Sequence, residues 1–436
     1  MFDVFLILLN QEDLNNYGCL KKRFKETIIQ FQIDYQCPQC GAPAVLEETD
    51  RLFTCEFCRV KSYLQTKRYF RYELPDKIPA HQQLVFLPYW RFKGMLFSCI
   101  PGKIQHQFVD VSLQAIQSHL FPSSLGFRSQ VLKLKFSRQA PPARYLQHNL
   151  SLKTVMQTLR RRYKPRDARV LIHQAFIGDS VSMIYAPFYV DKYLYDGVLN
   201  EPISPELTYD FNIHTLPEAK PGSGIHFLAT LCPYCGWDLE GQRDSLVLHC
   251  TNCTSVYQPE DRGFSKLSAA YMPGPDLPLR YMPFWRFKAD ISGLKLATYS
   301  DLVREANLPK VVPPGFAEAP FHFWSPAFKI RPQFLLRLSQ NVTVSQPTGP
   351  FQSGIPRGKM HQVNLSLTEG IESLKLVLAG IVKPRNKVET ILADIQVKPK
   401  SYILVYLPFV EKHHDLVQPD LGIAINKNML AHAKNL

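Results

Sequence analysis

Apolar positions along the chain gather into several runs that read as strands, with apolar and polar residues alternating in WRFK. Such stretches are Leu84 to Phe97, Val131 to Phe136, Val170 to Phe176 and Val181 to Tyr189, and they have equivalents in the second half. Helical spacing is confined to two places. Ser151 precedes Leu152, Val155, Met156 and Leu159, while Ser366 with Glu369 makes a capping-box pattern ahead of Ile371, Leu374, Leu376 and Leu378. Pro165 and Pro384 follow the two runs and are expected to stop them. The pattern predicts a mainly β chain with few helices, of the α+β class.

The same elements are written twice. LPYWRFKG, from Leu87, returns as MPFWRFKA, from Met282, and the two tryptophans lie 195 residues apart, as do Cys37 and Cys232. Phe127, Ser129, Leu132 and Lys133 match Phe323, Ser325, Phe328 and Lys329. NLSL at Asn149 to Leu152 recurs at Asn364 to Leu367, and KPR at Lys164 to Arg166 recurs at Lys383 to Arg385. IYAPF from Ile184 answers VYLPF from Val405, so the repeat runs the length of the chain as a tandem duplication. Proline- and glycine-rich joints at Pro217 to Gly224 and Met272 to Pro278 mark boundaries. The expected organisation is an N-terminal segment (1–36), a first cysteine unit (37–74), a β-rich domain (75–222), a second cysteine unit (223–262) and a second β-rich domain (263–436). Each β-rich domain is expected to carry one main helix.

Eight of the ten cysteines form four CxxC pairs: Cys37/Cys40, Cys55/Cys58, Cys232/Cys235 and Cys250/Cys253. In both halves 14 residues separate the inner cysteines of the two pairs. A CxxC turn aims two thiolates at one point, and two such knuckles joined by a hairpin give the sulfur tetrahedron that zinc prefers. ETDR, Glu48 to Arg51, and GQRD, Gly241 to Asp244, are the expected hairpin turns. CPQCG with CEFC, and CPYCG with CTNC, resemble the zinc-ribbon family over about 40 residues in each half. The resemblance implies a structural metal and contact with protein or nucleic acid, without catalysis. Two structural Zn²⁺ ions are the expected cofactors, with a rubredoxin-like iron or an iron–sulfur cluster as alternatives. His249 adjoins Cys250 but, as a strand neighbour, points to the other side. Cys19 and Cys99 read as ordinary thiols, and metal thiolates beside unpaired cysteines fit a reducing cytoplasm.

At 436 residues with 45% hydrophobic and 20% charged residues, the composition is that of a soluble globular protein of two or three domains. The apolar run Val4 to Leu9 is too short to span a bilayer, and no transmembrane segment or signal peptide is expected. A net charge of +14 favours anionic partners. Alternation in WRFK puts Arg91 and Lys93, with Arg286 and Lys288, on the face opposite the aromatic rings, as candidate anion or partner contacts. Arg160, Arg161 and Arg162, at the end of the first helix, are a further candidate contact. Phosphate loops, HExxH, GxSxG and repeated carboxylate pairs are absent from the sequence, which argues against an enzyme and a small-molecule substrate. The sequence therefore points to a non-catalytic zinc-binding interaction or assembly protein with a protein partner, and as the alternative to a nucleic-acid-binding protein.

Overall fold

Strands dominate because the apolar runs are rich in aromatic and β-branched residues, which pack well on a pleated surface. A computed structural model describes residues 32–126, 132–137, 143–165, 170–203, 213, 216–219, 225–309, 311–312 and 315–431. The N-terminal run Val4 to Leu9, the basic residues Lys21, Lys22 and Arg23 that follow it, Cys19, Phe127, Ser129, Val131 and Arg166 lie outside these residues.

In the first half, Val85–Ile100 pairs antiparallel with Lys103–Gln114 on one side and with His173–Val190 on the other. In the second half, Leu279–Ile291 pairs antiparallel with Val397–Glu411. Each long pair gains a short parallel neighbour: Arg71–Glu73 against His173–Val190, and Ala269–Tyr271 against Val397–Glu411. The stretch expected as two strands, Val170 to Phe176 and Val181 to Tyr189, is one strand, His173–Val190, interrupted by a bulge between Ile177 and Ser180. Gly178 sits in that bulge opposite Gly94, whose φ is +155°, and a Cβ built on Gly94 would lie 2.2 Å from the Gly178 Cα. The two backbones touch where no side chain fits.

The repeated WRFK and NLSL motifs meet. Trp90 Nε1 donates to the Leu150 carbonyl at 3.0 Å, and Trp285 Nε1 donates to the Leu365 carbonyl at 3.0 Å. The Asn149 and Leu150 amides share the Ala115 carbonyl, as the Asn364 and Leu365 amides share that of Ala327. Both asparagine side chains also accept a backbone bond, from the Gln117 amide and the Lys329 amide. In both halves this latch leads directly into a helix. Leu152–Arg162 starts at Ser151, which accepts from the Thr154 amide, and Leu367–Ile381 starts with both bonds of the Ser366/Glu369 capping box.

The second half departs from the expectation of one main helix. Tyr299–Glu305, Pro332–Ser345, Arg385–Ile391 and Lys427–Ala431 are also helical. Leu367–Ile381 ends three residues before Pro384, as expected, and Pro384 is then the N-cap of a separate helix, Arg385–Ile391, where a missing N–H leaves no helical bond unmade. The two halves share a core. Met95, Phe97, Cys99, Ala175 and Ile177, at the far end of the first half's central strands, are buried in the cluster built by Trp285, Leu374 and Leu378. At the same seam the Gly102 amide donates to Glu389 Oε1 at 2.7 Å.

Candidate metal centres

Each knuckle is held by backbone geometry before any side chain matters. Cys37 N donates to the Ala42 carbonyl and Gly41 N to the Cys37 carbonyl, with Gly41 at φ +73°. Cys232 N donates to the Trp237 carbonyl and Gly236 N to the Cys232 carbonyl, with Gly236 at φ +71°. The glycine of CPxCG supplies the left-handed conformation that closes the turn. In the second knuckles Arg59 and Thr254 take positive φ instead, at 62° and 52°.

These turns gather the eight cysteines into two groups of four, in each of which all sulfurs lie within 4.8 Å of one another. The Cys37–Cys58 and Cys40–Cys55 sulfurs are 3.8 and 3.7 Å apart. In the second group Cys232–Cys253 and Cys235–Cys250 are 3.7 and 3.5 Å apart. A tetrahedron with metal–sulfur bonds of about 2.3 Å has edges of about 3.8 Å, so each group has the size of a single-ion cage. The donor set fits a soft or borderline metal ion, and four thiolates leave no open position. Both groups are compatible with zinc ribbons.

The thiols also compete for charge. In the first group backbone hydrogen bonding in the knuckle brings Cys55 down to about 6, while Cys58 is pushed up to about 12. In the second, burial opposes ionisation of Cys232, but the Tyr257 hydroxyl and knuckle amides carry it down to about 6, and burial pushes Cys250 up to about 12. Neighbouring thiolates resist ionising together until a cation joins them. Tyr257 OH lies 3.2 Å from the Cys232 sulfur and 3.7 Å from that of Cys253. His249 is outside the cage: its Nε2 faces Glu240 Oε2 at 3.7 Å, and burial lowers its pKa.

The two cysteine units differ in how their knuckles are joined. In the second, Glu240 and His249 exchange backbone bonds across the GQRD turn, as expected. In the first, the expected hairpin around ETDR is replaced by a crossing between sheets. Gln32–Gln36 and Pro43–Glu47 flank the Cys37 knuckle in the large sheet, while Leu52–Thr54 and Lys61–Thr66 flank the Cys55 knuckle in another. The third strand of that smaller sheet is Ile225–Ala229, from the second unit, paired antiparallel with Lys61–Thr66. Leu52 and Tyr63 share one buried cluster with Leu228, Cys232, Leu239, Leu248, Cys250 and Tyr257. Tyr63 OH donates to the Ser245 carbonyl at 3.0 Å, and Arg243 forms an ion pair with Asp50 while its carbonyl accepts from the Arg51 and Leu52 amides. The two units are thus one double platform, a coupling that neither CxxC spacing announces.

The proposed basic surface requires correction. Arg91 and Lys93 are 2% and 6% exposed, because both faces of Val85–Ile100 are covered. Arg91 Nη1 meets Glu48 of the ETDR segment at 3.0 Å, and its Nη2 meets both Asp110 oxygens at 2.9 and 3.1 Å. In the other copy Arg286 is half-buried with its guanidinium 5.2 Å from the Phe351 ring centre, and only Lys288 is exposed. The four residues do not form one surface. In the arginine cluster Arg161 and Arg162 are exposed, whereas Arg160 is half-buried, its Nε without a hydrogen-bond partner.

Compared with protein-family models, with curated proteins and with solved structures, the chain has no match. No helix among the described residues is long and apolar enough to cross a membrane.

Proposed function

We propose that this chain is a non-catalytic zinc-binding interaction or assembly protein, a tandem duplication in which two structural zinc ribbons present a shared platform to a protein partner. The observation that carries this reading is the pair of four-cysteine cages on ribbons that share a sheet and a core. A full sulfur shell suits a metal that fixes shape and leaves no site for water or substrate. Cys37, Cys40, Cys55 and Cys58 would hold one ion, and Cys232, Cys235, Cys250 and Cys253 the other. Zinc is favoured over a multi-iron cluster by the single-ion size of each cage, and over a rubredoxin-like iron by the short separation of 14 residues between the inner cysteines of each cage.

Apolar side chains left outside point to the contact face. Phe57, Tyr234 and Trp237, all in or beside the knuckles, are 68%, 83% and 57% exposed. Exposed aromatics on a metal-rigidified turn present contact area with little entropy to lose. Duplication would account for the two WRFK–NLSL latches, which serve packing.

Elemental analysis of the purified chain should return about two zinc ions, on the four-ligand count. Tyr234→Ala with Trp237→Ala should keep both ions and thermal stability yet lose a stoichiometric protein partner; retention of that partner would refute the contact face. The nucleic-acid reading rests on the +14 charge and on Arg161 and Arg162, having lost Arg91 and Lys93 to the interior. A steeply salt-dependent shift of DNA or RNA would favour it instead.

A further inference from the structure

Where the second ribbon's turn meets the second β-rich unit, Gln242 closes one side of a cavity of about 420 Å³. Its wall carries Arg280, Lys329, Lys359 and Lys427, with His361, Gln362 and Asn364 completing the polar lining, and no carboxylate among the described residues lines it. Two acids stand behind the wall. Glu411 accepts from Arg280 Nε at 2.8 Å and lies 3.9 Å from Lys427 Nζ, while Asp244 accepts from the Asn364 amide at 2.6 Å. Arg280 and Lys427 share Glu411, and Lys359 has no ion pair among the described residues, so the wall is left with an excess of positive charge.

The placement of two of the cations is itself unfavourable. Lys359 lies on the short strand Lys359–Met360, directly in register with Arg280 in a parallel pair. Like charges at facing positions of a strand pair repel, at a cost that a bound anion removes. Lys329 adds a lysine that is only 7% exposed.

The first half shows how the same position looks when the chain satisfies itself. There Arg144 stands in register with Val85, so no second cation faces it. Arg144 Nη2 donates to the Leu216 carbonyl at 2.7 Å and its Nε lies 3.7 Å from Glu218, in a segment hydrogen-bonded along that edge. No described carboxylate plays the part of Glu218 for Lys359.

We propose that this cavity binds a small soluble compound through a phosphate or pyrophosphate group. Arg280 offers a planar fork and the lysines offer point charges, the two donor types that phosphate oxygens accept. The charge excess calls for an anion, and the volume falls in the range of small-ligand sites. Because Gln242 and Asn364 join ribbon and β unit at the rim, an occupied cavity would also tie the second ribbon to its domain.

Calorimetric titration of the zinc-loaded full chain with inorganic pyrophosphate, at physiological salt, tests this. One site per chain is expected. Lys359→Gln, a change at an exposed position, should weaken binding about tenfold or more, the effect of losing one charge-assisted bond. Lys67→Gln, an exposed lysine of the first ribbon, should leave binding unchanged. Absence of binding at millimolar pyrophosphate overturns the proposal, as does equal weakening by Lys67→Gln, which would mean diffuse surface charge. Citrate binding as tightly as pyrophosphate overturns the phosphate assignment. Recruitment to phosphoinositide vesicles through Lys359, with no response to pyrophosphate, would replace it with a lipid surface.

Discussion

Glu48, in the segment between the knuckles of the first ribbon, and Arg91, in the middle of the strand Val85–Ile100, form an ion pair at 3.0 Å with both side chains 2% exposed. The pair fastens a metal-binding unit to the sheet behind it. Breaking a buried pair from one side strands the other charge without water.

Arg91→Met should therefore destabilise the protein by about 3–5 kcal/mol. Adding Glu48→Gln should restore a substantial part, because the stranded carboxylate is then neutral. Urea denaturation of the single and double variants measures both. A single-variant cost under about 0.5 kcal/mol, typical of a surface position, would refute the buried pairing.

Gly94→Ala should be among the most damaging small substitutions in the chain. Its φ of +155° and the 2.2 Å approach of an added Cβ to Gly178 leave nothing flexible to move aside. A cost of about 2 kcal/mol or more is expected, with poor soluble yield as the practical sign. Gly41→Ala tests conformation alone, since φ is positive there but no atom lies within 4 Å of the added Cβ, and its cost should be smaller.

Cysteine replacement should separate the two cages. Cys37→Ser and Cys232→Ser should each release one ion, read by elemental analysis. Cys232 belongs to the cluster shared by both ribbons, whereas Cys37 does not, so Cys232→Ser should also loosen the first ribbon. Hydrogen exchange in Lys61–Thr66 is the readout, and unchanged protection there would count against the double platform.

Acid sensitivity should include two histidines away from both cages. Burial, reinforced by Lys375 and Arg160, brings His173 down to about 4, and burial with Arg286 and Lys288 does the same for His322. A folded pKa below the unfolded value of about 6.5 means that the unfolded chain takes up protons first. Their contribution is complete at pH 7 and falls as the pH drops from about 6.5 through 4. His173→Leu should flatten the pH dependence of the unfolding free energy over that window; an unchanged slope would contradict it.

The metal ligands were legible because CxxC spacing is local: a knuckle is set by four residues and a glycine. Helix starts at Ser151 and Ser366 were legible for the same reason. Arg91 and Lys93 were misjudged because alternation tells which residues share a face of a strand but not whether the other face is covered. Here the cover comes from Glu48, 43 residues earlier, in a stretch that reads as a solvated turn. Pro332–Ser345 was missed although Leu335, Leu338 and Val342 carry helical spacing behind a proline at the first turn. The shared platform left no trace, since the pairing of Ile225–Ala229 with Lys61–Thr66 depends on residues remote in sequence.

That pairing joins strands about 160 residues apart, with the whole first β-rich unit between them. On a ribosome adding roughly 5–20 residues per second, the first ribbon waits on the order of 8–30 s for its third strand. Until then one edge of Lys61–Thr66 is open to any other strand, including that of a neighbouring nascent chain. The order of synthesis thus makes the first ribbon emerge well before the second and yet wait for the second to be finished.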